Sequence, residues 1–272
     1  MTAGLSMLKE SQVAEIASAF QAAGISVLAY DHRGFGSSDG SPRYDIDPAR
    51  HAEDFHDAIT AAANLPGADP KRIVLLGTGH SGGWAAIAAS DDPRVAALVL
   101  HRPFFSGALQ QQAFPADLID RAWLERIKAV DLSCFEPPEP EYVKAWPESV
   151  EEARSQAGLS MMTGEPGYWF VREACELMNA AGARWENKVT LRSAYNVARI
   201  ECQNALGKVS VPTLYLVGET DPFMSAEQHR VTFGRLSAKG EFARVPDQSN
   251  VSTSQMFADD AQPMIHFITR VV

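Results

Sequence analysis

Residues 73–89 constrain the fold more than any other part of the chain. The apolar run Ile73 to Leu76 leads into a glycine-rich turn, Gly77 to Gly83, and then into an alanine-rich stretch. This pattern predicts a buried strand, a tight turn and the start of a helix.

The same alternation recurs along much of the chain. Helical spacing of apolar residues predicts helices near residues 8–24, 48–63 and 264–271. Short apolar runs predict strands at 26–30, 73–76, 95–100, 213–217 and 241–245. Strands separated by helices indicate an α/β fold with a mainly parallel sheet and helices on both faces.

Residues 103–206 interrupt the alternation. This segment contains no convincing strand, begins its second part with a proline-rich stretch at 137–140, and is rich in Trp, Tyr and Met. We therefore expect a helical cap inserted into a core formed by residues 1–102 and 207–272. Its aromatic residues suit either an apolar pocket wall or the cap's own small core.

Composition narrows the class of partner. The 272 residues carry a net charge of −10 and a pI near 5.2, which argues against a nucleic-acid partner. No apolar run is long enough to span a bilayer and no signal peptide is evident, so we expect a cytoplasmic protein. Cys134, Cys175 and Cys202 match no metal or disulfide spacing. We expect neither a metal nor another cofactor, and homo-oligomerisation stays open.

The glycine-rich turn can be aligned with the G-x-S-x-G nucleophile turn in two registers. In the first, Gly77 closes the strand and Gly79, which has no side chain, stands where the nucleophile belongs. In the second, Gly79 to Gly83 is a literal G-x-S-x-G with Ser81 as the nucleophile. We favour the first register, because only one residue separates the strand-closing glycine from the serine in this motif. The plain alternative is a strand-to-helix turn without chemistry.

Motifs along the whole chain resemble the α/β-hydrolase superfamily. They are residues 30–40 (YDHRGFGSSDG), the turn at Gly77, the cap with residues 185–193 (WENKVTLRS), and residues 217–222 (VGETDP). The chain is most similar to the dienelactone-hydrolase-like and fungal polyketide-transferase-like branch. The resemblance implies a Ser-His-Asp site at the carboxyl ends of the strands.

The chain departs from that pattern at several site positions. Asp221 matches the family's acid, or is only a loop-capping residue, whereas Ser249 stands where the family has its histidine. The family's first strand ends in H-G-F; here Ala3 replaces the histidine, and Gly4 and Leu5 follow. The first family strands are missing, so either the sheet closes without them or the chain is truncated.

These residues form the predicted site. The expected catalytic side chains are His80, Asp221, Ser81 and Ser249, and the expected oxyanion-binding backbone belongs to Gly79, His80, Gly4 and Leu5. The expected substrate-binding residues are His101, Trp146, Tyr168, Trp169, Phe170 and Trp185. A packed turn residue is an equal alternative for His80, and structural packing is the stronger alternative for His101.

Three functions remain compatible with the sequence. The first is a biosynthetic enzyme that catalyses a non-hydrolytic step, such as cyclisation, isomerisation, condensation or dehydration, on a hydrophobic polyketide-like molecule. The second is a serine hydrolase of esters or thioesters that uses Ser81. The third is a catalytically inactive binding or scaffolding protein. The first is favoured, because a serine without a base is a poor nucleophile while the apolar, capped cleft remains.

Overall fold

A parallel four-stranded sheet forms the centre of the molecule. The computed structural model describes residues 1–11, 13–115, 117–129, 138–155, 160–219, 221, 223–237, 239–246 and 253–272. The sheet contains β1 (Ile73–Thr78), β2 (Val95–His101), β5 (Thr213–Gly218) and β6 (Gly240–Val245), side by side in that order. The middle strands are apolar and almost completely buried, as strands covered on both faces should be. The predicted α/β architecture is confirmed.

Helices cover both faces of the sheet. On one face α1 (Val13–Ala22) packs against α10 (Thr253–Val271). On the other face α2 (Pro48–Ala63) packs against α3 (His80–Asp91). A further helix, α9 (Ala226–Phe233), lies between β5 and β6 in the chain. Two separate clusters of buried apolar side chains accompany these layers.

The segment between β2 and β5 is mainly helical. It contains α4 (Gly107–Gln112), α5 (Leu118–Ala129), α6 (Val150–Ser155), α7 (Glu165–Ala180), α8 (Arg192–Ala198) and a 3-10 turn at Cys202–Lys208. We call residues 103–206 the cap segment. The expectation of no strand there is wrong, because β3 (Tyr142–Val143) and β4 (Val189–Thr190) form a small antiparallel sheet. The division into core and cap domains stays a prediction.

The predicted strand at residues 26–30 is also wrong. These residues are extended but only partly buried, and they form no ladder with β1. Met1 and Thr2 lie between the two: the Met1 amine donates to Leu28 O, and Thr2 bridges to Gly77 of β1. A stretch of two residues is too short to form a continuous ladder between residues 26–30 and β1.

The last helix is longer than its apolar pattern predicts. It begins at Thr253 rather than near Met264, and Pro263 lies inside it. Within the described residues, no helix combines the length and the apolar character needed to cross a membrane.

Candidate active site

Gly79 lies at the tip of the turn between β1 and α3. Its φ of 57° and ψ of −125° are unfavourable for any residue with a side chain. Its N–H donates to His101 O at 3.0 Å, and its carbonyl accepts from the Phe104 N–H at 2.9 Å. A Cβ at position 79 would have only the Gly4 Cα within 4 Å, at 3.9 Å. The position that a nucleophile would occupy is therefore uncrowded and has no reactive group.

Ser81 is the second residue of α3 and is completely buried. Its hydroxyl donates to the backbone carbonyl of Ala3, and His32 Nε2 lies 3.1 Å from its oxygen. Because a carbonyl can only accept, the serine proton points at Ala3 and away from the imidazole. Ser81 therefore connects residues 1–9, which we call the N-terminal segment, to the turn. The Ser81 proton is not directed to a base.

A buried polar cluster continues from Ser81. His32 Nδ1 lies 3.4 Å from Asp54 Oδ2, and Arg33 forms a salt bridge with the same carboxylate. Burial lowers the pKa of His32. Burial opposes ionisation of Asp54, but the hydrogen bonds from His32 and Arg33 hold its pKa below its usual value. The serine, imidazole and carboxylate thus follow the order of a hydrolase triad, with Ser81 and His32 buried and Asp54 half-buried.

His51 stacks on His32 in this cluster. Their rings are 4.4 Å apart and within 13° of parallel, and within the described residues neither nitrogen of His51 has a hydrogen-bond partner. Burial lowers the pKa of His51 well below its usual value. His32, His51 and Asp54 place metal-binding atoms within 4.8 Å of one another. Parallel stacked rings cannot both direct a nitrogen at one ion, and Arg33 already neutralises Asp54, so this geometry does not suit a metal.

The N-terminal segment runs beside the turn. A Cβ on Gly4 would lie 3.0 Å from Thr78 O and 3.8 Å from His80 N, so the two backbones are adjacent. Among the described residues, neither the Leu5 N–H nor the His80 N–H has a hydrogen-bond acceptor. Lys9 anchors the far end of the segment through its backbone N–H and its ammonium, which both donate to the buried Asp31 carboxylate. The structure therefore brings together the four predicted backbone positions Gly79, His80, Gly4 and Leu5.

His80 starts α3 with a half-buried side chain. Its Nε2 lies 3.2 Å from Gln110 Oε1, and its ring packs on Phe104 with centroids 4.7 Å apart. Since an amide oxygen only accepts, Nε2 carries the proton and Nδ1 has the free lone pair. Burial lowers the pKa of His80 to about 4, so the imidazole is neutral near pH 7.

Asp221 follows β5, and its carboxylate is bonded to residues close to it in the sequence. One carboxylate oxygen accepts from the Phe223 and Met224 N–H groups at 2.7 and 3.1 Å. The other lies 3.0 Å from His229 Nε2, and His229 Nδ1 lies 3.1 Å from the Tyr215 hydroxyl. His229 was not among the predicted site residues. The loop-capping alternative for Asp221 describes these contacts, and a catalytic role for Asp221 stays a prediction.

His101 is fully buried at the end of β2. Its nitrogens lie 3.0 Å from Thr78 Oγ1 and 2.8 Å from Asp260 Oδ2, and Arg102 also donates to Asp260. Burial opposes ionisation of Asp260, but its hydrogen bonds with His101 and Arg102 lower its pKa. His101 therefore supports the turn from below, since its carbonyl also accepts from Gly79. This is the structural alternative named for it.

Two predicted cap aromatics contact the N-terminal segment. The indole N–H of Trp146 donates to Ser6 Oγ at 2.9 Å, and that of Trp185 donates to Ser6 O at 2.8 Å. Phe170 packs on Trp146 at 5.5 Å. Tyr168 is half-buried, whereas 47% of Trp169 is exposed on the outer side of the cap segment. Ser249 lies outside the described residues.

Several polar residues near the turn escaped the sequence analysis. Ser6, His32, Asp54 and Gln110 belong to this group. The D-H-R triplet at 31–33 carries a signal for His32, but it was used only as a marker of the fold. Asp54 and Gln110 lie on predicted helical stretches, where polar residues are common.

Comparisons with known proteins agree with this architecture. The family model described as serine aminopeptidase, S33 matches residues 9–248. A polyketide transferase of a Penicillium species is 30% identical over 245 residues, which is 89% of this chain and 76% of that protein. A thiohydrolase of Arthrinium phaeospermum is 50% identical over 99 residues, which is 36% of this chain. The chain covers only about a third of that relative, 32% of its length.

Solved structures give the same result. A structure of DcsB in complex with its substrate analogue matches with a TM-score of 0.79 and 27% identity, covering 100% of this chain and 90% of that one. A crystal structure of the α/β hydrolase GrgF from Penicillium sp. sh18 matches with a TM-score of 0.77 and 25% identity, covering 100% and 88%.

Proposed function

Because the chain belongs to the serine aminopeptidase S33 family of α/β hydrolases, we propose that it uses the family's carbonyl-binding site without the family's serine. In this proposal it is a biosynthetic enzyme that polarises a carbonyl of a hydrophobic, polyketide-like substrate. It promotes cyclisation, isomerisation, condensation or dehydration and forms no acyl-enzyme.

One observation carries the proposal: Gly79 occupies the tip of the turn with the φ and ψ described above and an uncrowded Cβ position. Glycine adopts this backbone without strain, whereas a residue with a Cβ would be strained there. The fold has therefore kept the sharp strand-to-helix turn on which this motif holds its nucleophile, although no side chain uses it. The serine nearby, Ser81, is enclosed and donates its proton to Ala3.

The proposed chemistry uses backbone donors. The Leu5 and His80 N–H groups, which have no acceptor among the described residues, would donate to the substrate's carbonyl oxygen. Fixed donors of this kind stabilise the negative charge that develops when a carbonyl enolises or is attacked. His80 belongs to the same turn, and its neutral imidazole would offer Nδ1 as a proton acceptor. With a pKa of about 4 it is a weak base, so it suits an already acidic proton, such as that between two carbonyls.

The substrate class rests on the relatives. The two relatives described above are a polyketide transferase and a thiohydrolase. The partly buried Phe170 side chain, which packs on Trp146, would provide an apolar contact for such a molecule.

A second candidate function has one observation in its favour. Ser81, His32 and Asp54 follow the order of a Ser-His-Asp triad, with oxygen and nitrogen 3.1 Å apart at the serine. Hydrolysis by this set requires the Ala3 segment to move and the serine proton to turn toward His32. The inactive binding protein is the third candidate, and the same experiment addresses it.

The test uses a 3-oxooctanoyl N-acetylcysteamine thioester in D2O at mildly acidic pH. We expect the protein to accelerate deuterium exchange at the carbon between the two carbonyls, which NMR follows directly. We also expect no labelling by a fluorophosphonate probe. Labelling that disappears in Ser81→Ala would support the hydrolase, and binding of the thioester without exchange or hydrolysis would support the binding protein.

A further inference from the structure

Ser6 is held in an unusual conformation by the cap segment. Its φ of 55° lies in the left-handed region, which non-glycine residues seldom adopt. Its side chain and backbone are buried, and both of its oxygens accept from tryptophan indoles, one from Trp146 and one from Trp185. Two donors from separate parts of the cap segment therefore converge on one strained residue.

The two tryptophans form a single unit. The Asn187 side chain accepts from the backbone N–H of Trp146 and donates to the backbone carbonyl of Trp146, both at 2.9 Å. Trp185 lies two residues before Asn187, and the adjoining β3 and β4 pair with each other. The indoles are thus fixed relative to each other and cannot adjust to Ser6 independently.

Ser6 directly follows the backbone donor of the proposed site. The Met7 N–H donates to Gly4 O at 3.0 Å, which closes a turn with Leu5 and Ser6 at its centre. The Leu5 N–H lies in the peptide between Gly4 and Leu5, and the bond from Met7 to Gly4 couples this peptide to the conformation of Ser6. A change at Ser6 would therefore shift the Leu5 N–H relative to Gly79.

We propose that Trp146 and Trp185 are positioning residues that act through Ser6 and hold the Leu5 N–H in line with the carbonyl-binding position beside Gly79. This inference rests on the proposed function. The cap segment then contributes to the reaction, because its bonds to Ser6 complete the pair of backbone donors. Neither tryptophan needs to touch the substrate to affect the reaction rate.

The test compares Trp146→Phe and Trp185→Phe with Trp123→Phe. The third variant is the matched control, because Trp123 belongs to the same segment, is exposed, packs on Tyr195 and has no bond to Ser6 among the described residues. With the 3-oxooctanoyl thioester we expect the first two to lower kcat for exchange about tenfold while KM changes little. Trp123→Phe should behave like the wild type. A rise in KM at unchanged kcat would overturn the inference, because it would indicate substrate contact instead.

A double variant tests the bond itself. Ser6→Ala and Trp146→Phe remove the same hydrogen bond, so Ser6→Ala combined with Trp146→Phe should lower kcat no further than either change alone. Additive losses would contradict the inference.

A second measurement separates this inference from the proposed function. Amide hydrogen exchange of residues 1–11, followed by mass spectrometry, should speed up in Trp146→Phe and Trp185→Phe but not in Trp123→Phe. If the wild type does not catalyse thioester exchange but this pattern appears, the proposed function fails and the positioning of the segment stands. If the amides are equally protected in all variants, the inference is wrong.

Discussion

The conformation of Gly79 makes a quantitative prediction about substitution in the turn. Alanine or serine at position 79 must adopt φ near 57° and ψ near −125°, which costs on the order of 1–3 kcal/mol for a residue with a Cβ. Crowding adds nothing, because the nearest atom to that Cβ is Gly4 Cα at 3.9 Å. At about 2–4 °C per kcal/mol for a chain of this size, both variants should melt several degrees below the wild type and remain folded.

Two other glycines provide controls for this estimate. Gly24 has a φ of 79° and no atom within 4 Å of its Cβ position, so Gly24→Ala measures strain without crowding. A Cβ on Gly77 would lie 2.2 Å from Ser81 O, so Gly77→Ala forces backbone atoms apart and should prevent folding. The expected order of melting temperature is therefore wild type, then Gly24→Ala and Gly79→Ala together, with Gly77→Ala far below.

The serine variant also tests the chemistry. Gly79→Ser places a hydroxyl beside the Leu5 and His80 amides, so a fluorophosphonate should label residue 79 slowly, whereas wild type and Gly79→Ala stay unlabelled. Ester hydrolysis should remain as low as in Gly79→Ala, because residues 246–253 contain no histidine to serve as base. Calorimetry and peptide mass spectrometry provide both readouts. A Gly79→Ala variant as unstable as Gly77→Ala, or one with unchanged stability, would refute the geometry of the turn.

Three further predictions concern buried titratable groups. His51→Leu should raise the melting temperature, since an unpartnered buried imidazole costs about 1–3 kcal/mol. The pKa of His51 is lowered in the folded protein, so below about pH 6.5 the unfolded chain binds a proton at His51 and the folded protein does not. The wild type therefore loses stability as the pH falls below that value. Calorimetry at neutral and acidic pH should show a smaller loss in the variant, and a variant less stable at both would contradict this. Asp260→Asn should cost about 3 kcal/mol at neutral pH. The lowered pKa of Asp260 means that its contribution is present above its unfolded pKa and fades as the pH falls, so denaturation curves of variant and wild type should converge in acid. Finally, thioester exchange that depends on neutral His80 should persist down to about pH 5 and decline near its pKa of about 4; a decline centred near 6.5 would assign the group elsewhere.

Hydrophobic periodicity and glycine placement were sufficient to predict the core of the fold. Strands β1, β2 and β5 were recognisable because each is a short, largely buried apolar run. The edge strand β6 was recognisable from a shorter run in which apolar residues are mixed with charged ones. Residues 26–30 have the same composition but not the same environment, since Met1 and Thr2 separate them from β1. Composition indicates that a segment tends to form a β-strand. Whether it pairs with another strand depends on which residues lie next to it in the fold.

The polar contacts of the site were much less predictable. The position of Gly79 follows from the local spacing of glycines, so sequence reasoning reached it. The pairing of His32 with Ser81 joins residues 49 positions apart, and that of Trp146 with Ser6 joins residues 140 apart. No local pattern encodes such pairs, because they depend on how complete elements pack. The exposure of Trp169 beside half-buried Phe170 is likewise set by which side of α7 faces the core.

The engagement of Asp221 with His229 has a consequence for the history of the site. In a working triad this carboxylate must be free to orient a histidine, yet here both of its oxygens are already occupied. Under the proposed function, a hydrolase built on position 79 would therefore need at least three coordinated changes: a hydroxyl at position 79, a histidine in the loop after β6, and release of Asp221 from its present partner. Each change alone would confer no hydrolytic activity, and the first would carry a cost in stability. A chain with the proposed function would then diversify within non-hydrolytic chemistry more readily than acquire hydrolysis.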